Sequence, residues 1–325
     1  MGEGRLWQHL CLAAQGNDRE GILMTPEEIL KHDARVLTQA QREAYFDTGY
    51  VSGEGLIPNE WLVAVRAASD ERIEASRQET ESGSEFDLAP EHTSESPHVR
   101  RLKSPVDQHP VFRKFAVQSP FADIAADLVG PNVKFHSCKI NYKHPGGGEV
   151  VKWHQDICFW PHTNYSPVTL GFYLDGCEEA QGPLTVIPES HKGDLFPHYD
   201  DDGIWTGTVP TKDMATLPLD TAAGPTGDKG TVLALNCRTV HGSKRNETDR
   251  VRPILLYVYT SADAFPWGQH PSSTSLSGEI IRGEAAKFPH MDPRPCPVPP
   301  DWSKLGGYGS IFTSQEKGDA GNMMG

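Results

Sequence analysis

Between residues 133 and 260 the chain is cut into short β-prone runs, and this spacing limits its fold more than any other feature. The runs cover residues 133–142, 150–156, 168–174, 184–187, 231–235 and 252–260. Turn clusters such as Pro145-Gly146-Gly147-Gly148 and residues 178–182 and 224–230 lie between them. Short strands separated by turns, with no helical periodicity in the gaps, pair antiparallel and stack as a layered sheet. Helical patterns come before them. Thr38-Gln39-Ala40-Gln41 forms a capping box whose helix ends near Gly49, and Tyr50-Val51 then reads as a short strand. A second helix follows Pro58, with Trp61, Leu62, Val65 and Ala68 on one face, and a third spans 120–129. Residues 98–103 read as another strand. Helices followed by regularly spaced strands predict a mainly β protein with helices flanking one side of an antiparallel double sheet.

The 325 residues suit one large domain. The expected division is an N-terminal extension over 1–24, a single domain over 25–265, and an irregular C-terminal arm over 266–325. Phe288, Trp302 and Tyr308 are the candidates to pin that arm. Residues 71–97, rich in Glu, Ser, Thr and Arg, read as a solvated helix end and a mobile loop, with a substrate lid as the functional alternative.

The second strand-like run carries Trp153-His154-Gln155-Asp156. On a strand, residues i and i+2 share a face, so His154 and Asp156 are expected to converge while Gln155 points away. One imidazole and one carboxylate leave a divalent metal short of ligands. His241, in Thr239-Val240-His241-Gly242-Ser243, is the candidate third. Two His and one carboxylate on one face of a metal leave adjacent positions open, which suits non-haem Fe(II) binding a co-substrate and O2; zinc is the alternative. Arg252, eleven residues after His241, could grip the far carboxylate of a 2-oxo diacid in bidentate fashion.

His154-Gln155-Asp156, the turn Pro188-Glu189-Ser190-His191-Lys192-Gly193, His241-Gly242-Ser243, the stretch from Asn246 through Arg252, and the early Phe46-Asp47-Thr48-Gly49-Tyr50-Val51 occur in that order. Together they resemble the phytanoyl-CoA dioxygenase family of Fe(II)/2-oxoglutarate oxygenases over about residues 38–265. The resemblance implies a double-stranded β-helix (jelly-roll, cupin-like) core. It also implies substrate oxidation coupled to conversion of 2-oxoglutarate and O2 into succinate and CO2. It assigns His154, Asp156 and His241 to the metal, and Arg252, Asn141, Phe172 and Lys103 to the co-substrate. Halogenating relatives replace the carboxylate ligand with a small residue, so Asp156 implies hydroxylation or another oxidation of a small-molecule substrate.

Competing assignments exist for several residues. A zinc hydrolase or a non-catalytic cupin-like binding protein would use the same scaffold, although neither has a use for Arg252. Arg250 reads as a surface salt bridge and His191 as a turn-fixing hydrogen bond. His136, His144, His162 and His198 read as exposed or loop histidines. Phe159, Trp160 and Tyr165 are either core or a pocket wall. Arg100, Arg101 and Lys103 either meet an anionic substrate or are surface charges. A net charge of −14 argues against nucleic acid and anionic membranes as partners. No run of about 18 apolar residues occurs, so no membrane span is expected. Six scattered cysteines without a Cys-x-x-Cys pair suit reduced thiols, and the expected setting is cytoplasmic, as a monomer or homodimer.

Overall fold

The computed structural model describes residues 24–146, 150–268, 271–302 and 310–316. Its strands are β1 (Tyr50–Gly53), β2 (Phe86–Leu88), β3 (Val99–Lys103), β4 (Val133–Lys143), β5 (Val151–His154), β6 (Val168–Tyr173), β7 (Thr185–Val186), β8 (Val232–Asn236), β9 (His241–Ser243), β10 (Arg252–Ser261) and β11 (Ile280–Arg282). One sheet runs β1-β8-β6-β10-β4-β3-β2 with β11 added on β4, and a smaller one runs β5-β9-β7. Every pairing is antiparallel. This is the mainly β double-stranded β-helix architecture.

Six helices of six residues or more lie around it among the described residues: α1 (Pro26–Lys31), α2 (Gln39–Thr48), α3 (Asn59–Ala75), α4 (Pro110–Gln118), α5 (Phe121–Val129) and α6 (Ile311–Glu316). The start and end of α2 follow from local chemistry. Thr38 and Gln41 exchange side chain and backbone bonds as a capping box, and Gly49 closes the helix at φ 86, a left-handed conformation that side chains disfavour.

Strand β10 is the spine, paired with β4 on one side and β6 on the other. Its side chains alternate. Leu255, Tyr257 and Tyr259 enter the core beneath the helices, where the hydroxyls of Tyr257 and Tyr259 donate to the carbonyls of Phe112 and Ala116 on α4. Arg252, Ile254 and Leu256 face the opposite way and line a cavity that residues of both sheets enclose. Phe112, Phe115, Phe121 and Phe172 fill the helix-side core, each worth roughly 1.5–3 kcal/mol on burial.

The loop expected over 71–97 is more ordered than its composition suggests. Phe86, Asp87 and Leu88 are buried and pair with β3, because Asp87 receives two bonds from Arg100 and so enters the sheet with its charge matched. The C-terminal arm contributes β11 and α6 and is not wholly irregular. Trp302 pins it, donating to the carbonyl of Phe159, whereas Phe288 is 70% exposed and pins nothing. Tyr308 lies outside the described residues. No helix among the described residues is long and apolar enough to cross a membrane.

Candidate metal centre

His154 ends β5 and His241 begins β9, and the two are direct partners across the ladder. The register alone therefore puts both imidazoles on one face, with ring centroids 4.0 Å apart. Asp156 arrives differently from expectation. The strand stops at His154, Gln155 stays extended, and Asp156 opens a 3-10 turn that continues to Cys158. Because Gln155 keeps the alternation, the carboxylate still returns to the side of His154. Asp156 Oδ1 lies 3.9 Å from Nε2 of His154 and 3.9 Å from Nε2 of His241. Donors bound at about 2.0–2.2 Å to one ion are separated by at most twice that length, so one ion fits among all three.

The surroundings hold these atoms ready. His154 Nδ1 donates to the carbonyl of Lys152 and His241 Nδ1 to that of Thr239, which turns each Nε2 lone pair toward the shared space. Burial pushes the pKa of His154 well below its ordinary value and lowers that of His241, so both rings are neutral and able to ligate. Thr169, on β6, donates from its hydroxyl to Asp156 Oδ2 at 2.6 Å. Gln155, pointing away as expected, donates to the carbonyls of Asp194 and Arg238 and accepts from the Phe196 N–H. His198 accepts the Gln155 N–H.

Arg252 is buried beside Lys143, its register partner on β4. Its Nη2 donates to the carbonyl of Gly182 at 2.9 Å, while its Nε–H has no partner. A buried guanidinium with an unmatched donor beside a metal triad fits a ligand carboxylate. Gly182 is needed there. At φ 61 it packs so closely on the Lys244 and Arg245 carbonyls that a Cβ would lie 2.2 Å from the first. Lys143 Nζ donates to the Ser243 hydroxyl and to the carbonyl of Lys244.

The structure brings Asn141 to the cavity but not the other two expected co-substrate contacts. Phe172 sits on the helix face of β6, stacked on Phe115 with centroids 5.5 Å apart. One step of strand alternation separates it from the site, and its neighbour Tyr173 is the aromatic beside Arg252, 5.7 Å from the guanidinium carbon to the ring centroid. Lys103 donates to the Gly83 carbonyl, outside the residues that line the cavity. Lys139 lines it instead, its pKa drawn down to about 8 by burial and the nearby Arg101 against the opposing pull of Asp156.

Other expectations divide. Arg250 pairs with Glu178 at the surface, and His191 bonds the carbonyl of Phe46. His162 and His198 lie in loops as expected and His136 on β4, but all three are buried, each ring packed against Trp160 or Trp205. Phe159 packs edge-on to His154 and joins Trp160 and Tyr165 in lining a separate cleft of about 740 Å³. The roles of Thr169, Lys139 and Lys143 escaped sequence reasoning. The one available signal was Lys139, Asn141 and Lys143 recurring every second residue, alternating with Cys138, Ile140 and Tyr142.

The sequence model of the phytanoyl-CoA dioxygenase (PhyH) family matches residues 45–254. A Stutzerimonas stutzeri protein described as a probable alpha-ketoglutarate-dependent hypophosphite dioxygenase is 31% identical over 287 residues, covering 86% of this chain and 97% of its own. L-proline trans-4-hydroxylase of Streptomyces griseoviridis is 28% identical, covering 65% of this chain and 85% of its own. Among solved structures, EctD from S. alaskensis with 2-oxoglutarate and 5-hydroxyectoine superposes with a TM-score of 0.62 at 22% identity, covering 84% of this chain and 96% of that one.

Proposed function

The chain belongs to the phytanoyl-CoA dioxygenase family and is an Fe(II)/2-oxoglutarate-dependent dioxygenase; from that premise we propose that it hydroxylates a small molecule through His154, Asp156, His241 and Arg252. The balance is R–H + O2 + 2-oxoglutarate → R–OH + succinate + CO2. The observation that carries the site assignment is the convergence of the three donor atoms within 4.8 Å of one another, with Arg252 lining the same cavity.

Iron bound by the triad supplies O2 activation, and 2-oxoglutarate supplies two electrons. The protein's part is placement. His154 and His241 hold neutral nitrogens toward the metal, and Asp156 adds the one negative charge. Arg252 receives the distal carboxylate of the co-substrate on its unmatched Nε–H. Asn141 lies between this anchor and the metal end, and the apolar Ile254 and Leu256 limit water along the same wall. The names of the relatives, acting on hypophosphite and on proline, support a compact polar substrate.

The test is succinate release by iron-loaded protein supplied with 2-oxoglutarate, ascorbate and candidate substrates. Asp156→Ala is expected to abolish turnover. Arg252→Met is expected to raise the KM for 2-oxoglutarate about thirtyfold or more, since truncating one member of a buried charge pair costs roughly 2–5 kcal/mol, with iron affinity little changed. Equal loss of iron affinity in Arg252→Met would remove the anchor assignment.

A further inference from the structure

Strand β3 carries three cations, Arg100, Arg101 and Lys103, and the fold treats them differently. Arg100 is matched by Asp87, and Lys103 is turned to the Gly83 carbonyl. Arg101 goes inward. It is 3% exposed, its Nε donates to Asn141 Oδ1 at 2.9 Å, and its Nη2 has no partner. Its guanidinium lies against the ring of Phe312, which roofs the metal cavity from α6. Asn141, its register partner on β4, lines that cavity, and Lys139 projects from the same face two residues along.

No carboxylate among the described residues pairs with Arg101 or Lys139. Asp87, opposite Arg101 in the β2–β3 ladder, is taken by Arg100. Asp156 serves the triad. Arg252 and Lys143 stand on the other side of Asn141, at the end assigned to the co-substrate's distal carboxylate. On the dioxygenase reading above, iron(II), Asp156 and the 2-oxoglutarate dianion together come to one negative charge. Arg252 and Lys139 line the cavity and Arg101 adjoins it through Asn141 and Phe312, three positive charges against that one, so two are left without a counter-charge. Buried charge of one sign at this density calls for an anion. The cavity that must take it beside the co-substrate is small, about 60 Å³.

We propose that the substrate is a compact oxyanion, a carboxylate or phosphorus oxyacid carrying the hydrogen to be replaced, and that Arg101 with Lys139 grips its oxygens. Asn141 is the positioning residue: by accepting the Arg101 Nε–H it fixes the guanidinium plane and leaves the outer edge of the fork to the substrate.

The full chain, loaded anaerobically with Mn(II) and 2-oxoglutarate, is titrated calorimetrically with hypophosphite, methylphosphonate and acetate, and with neutral acetamide and methanesulfonamide. At least one oxyanion is expected to bind tenfold or more tightly than either neutral compound. Arg101→Gln is expected to weaken that binding at least tenfold while 2-oxoglutarate affinity stays within threefold, and Arg101→Lys to recover part of the loss. Neutral compounds binding as tightly as the oxyanions would overturn the proposal without any variant. So would an equal loss of 2-oxoglutarate affinity in Arg101→Gln, which would give the arginine to the co-substrate. Should 2-oxoglutarate fail to bind the metal-loaded chain, the dioxygenase reading falls; should it bind while no oxyanion does, only this one falls.

Discussion

Replacing Thr169 by Val tests whether the metal site depends on a hydroxyl that touches no metal. The Asp156 carboxylate can rotate about its Cβ–Cγ bond, and only some orientations turn Oδ1 toward both His Nε2 atoms. The Thr169 hydroxyl fixes the rotation by holding Oδ2 at 2.6 Å from the far side. Both residues are buried, so water cannot take over the bond. Valine keeps the shape and removes the donor. A hydrogen bond to an ionised group is worth roughly 1.5–3 kcal/mol, or about 10- to 150-fold in an equilibrium constant at 1.4 kcal/mol per decade. Loss of an outer partner of a metal ligand typically costs about 10–100-fold in affinity. Thr169→Val is therefore expected to raise the Mn(II) dissociation constant about 10–100-fold, measured anaerobically from the spin resonance of the free ion. Thr169→Ser keeps the donor and is expected within about threefold of the parent. A folded Thr169→Val protein that binds metal within about threefold of the parent would refute the orienting role. Serine failing as badly as valine would assign the effect to packing of the methyl group.

Two more expectations separate site from scaffold. Phe172→Ala is expected to cost about 3–5 kcal/mol of stability in urea unfolding with the KM for 2-oxoglutarate unchanged in the folded fraction; a large rise in KM would return Phe172 to the co-substrate. His198 gives a pH signature, because burial draws its pKa down to about 4 despite the opposing bond to the Phe196 carbonyl. The folded pKa lies below the unfolded value, so its contribution is fully present above about pH 6.5 and is lost as pH falls toward 4, at up to about 1.4 kcal/mol per pH unit. His198→Asn, which retains an acceptor for the Gln155 N–H, is expected to flatten the dependence of unfolding free energy on pH across that window by nearly one proton, and an unaltered slope would count against it. His162, also drawn down to about 4 by burial, adds slope of the same sign, as do the lowered His154, His191 and His241.

The fold class and the metal triad were legible because each rests on short-range pattern. Thr38 and Gln41 carry the cap of α2 in four residues, and the alternation of β10 survives whatever packs on it. His154 and Asp156 were readable for the same reason, although the strand ends between them. Phe172 failed because alternation fixes which residues share a face and leaves open which face meets the site. A pattern shifted by one looks identical until the sheet has a partner. Thr169 was hidden for another reason, and for the same reason Arg101 could not be told apart from Arg100 and Lys103, which were read alike as meeting an anionic substrate or as surface charges. The meaning of Thr169 and Arg101 lies in what stands across a gap of 13 or 40 residues, at Asp156 and Asn141, and no local propensity reports on such contacts. Residues 71–97 misled by composition, since a charge matched in space, Asp87 by Arg100, has the same sequence appearance as a charge left in water.

The roof of the cavity comes late in the chain. Gln315, on α6, acts as a pseudo-backbone group, accepting the Lys152 N–H and donating to the carbonyls of Lys152 and Gly207, and so holds Phe312 and Ile311 over the metal end. Strand β10 is complete at Ser261, 54 residues (315 − 261) before this clasp exists. At a synthesis rate of about 5–20 residues per second, the ribosome takes roughly 3–11 s to make the difference. During that interval the triad and the arginine anchor have been translated while Ile311, Phe312 and Gln315 have not, so the roof is the last part of the cavity that can be put in place.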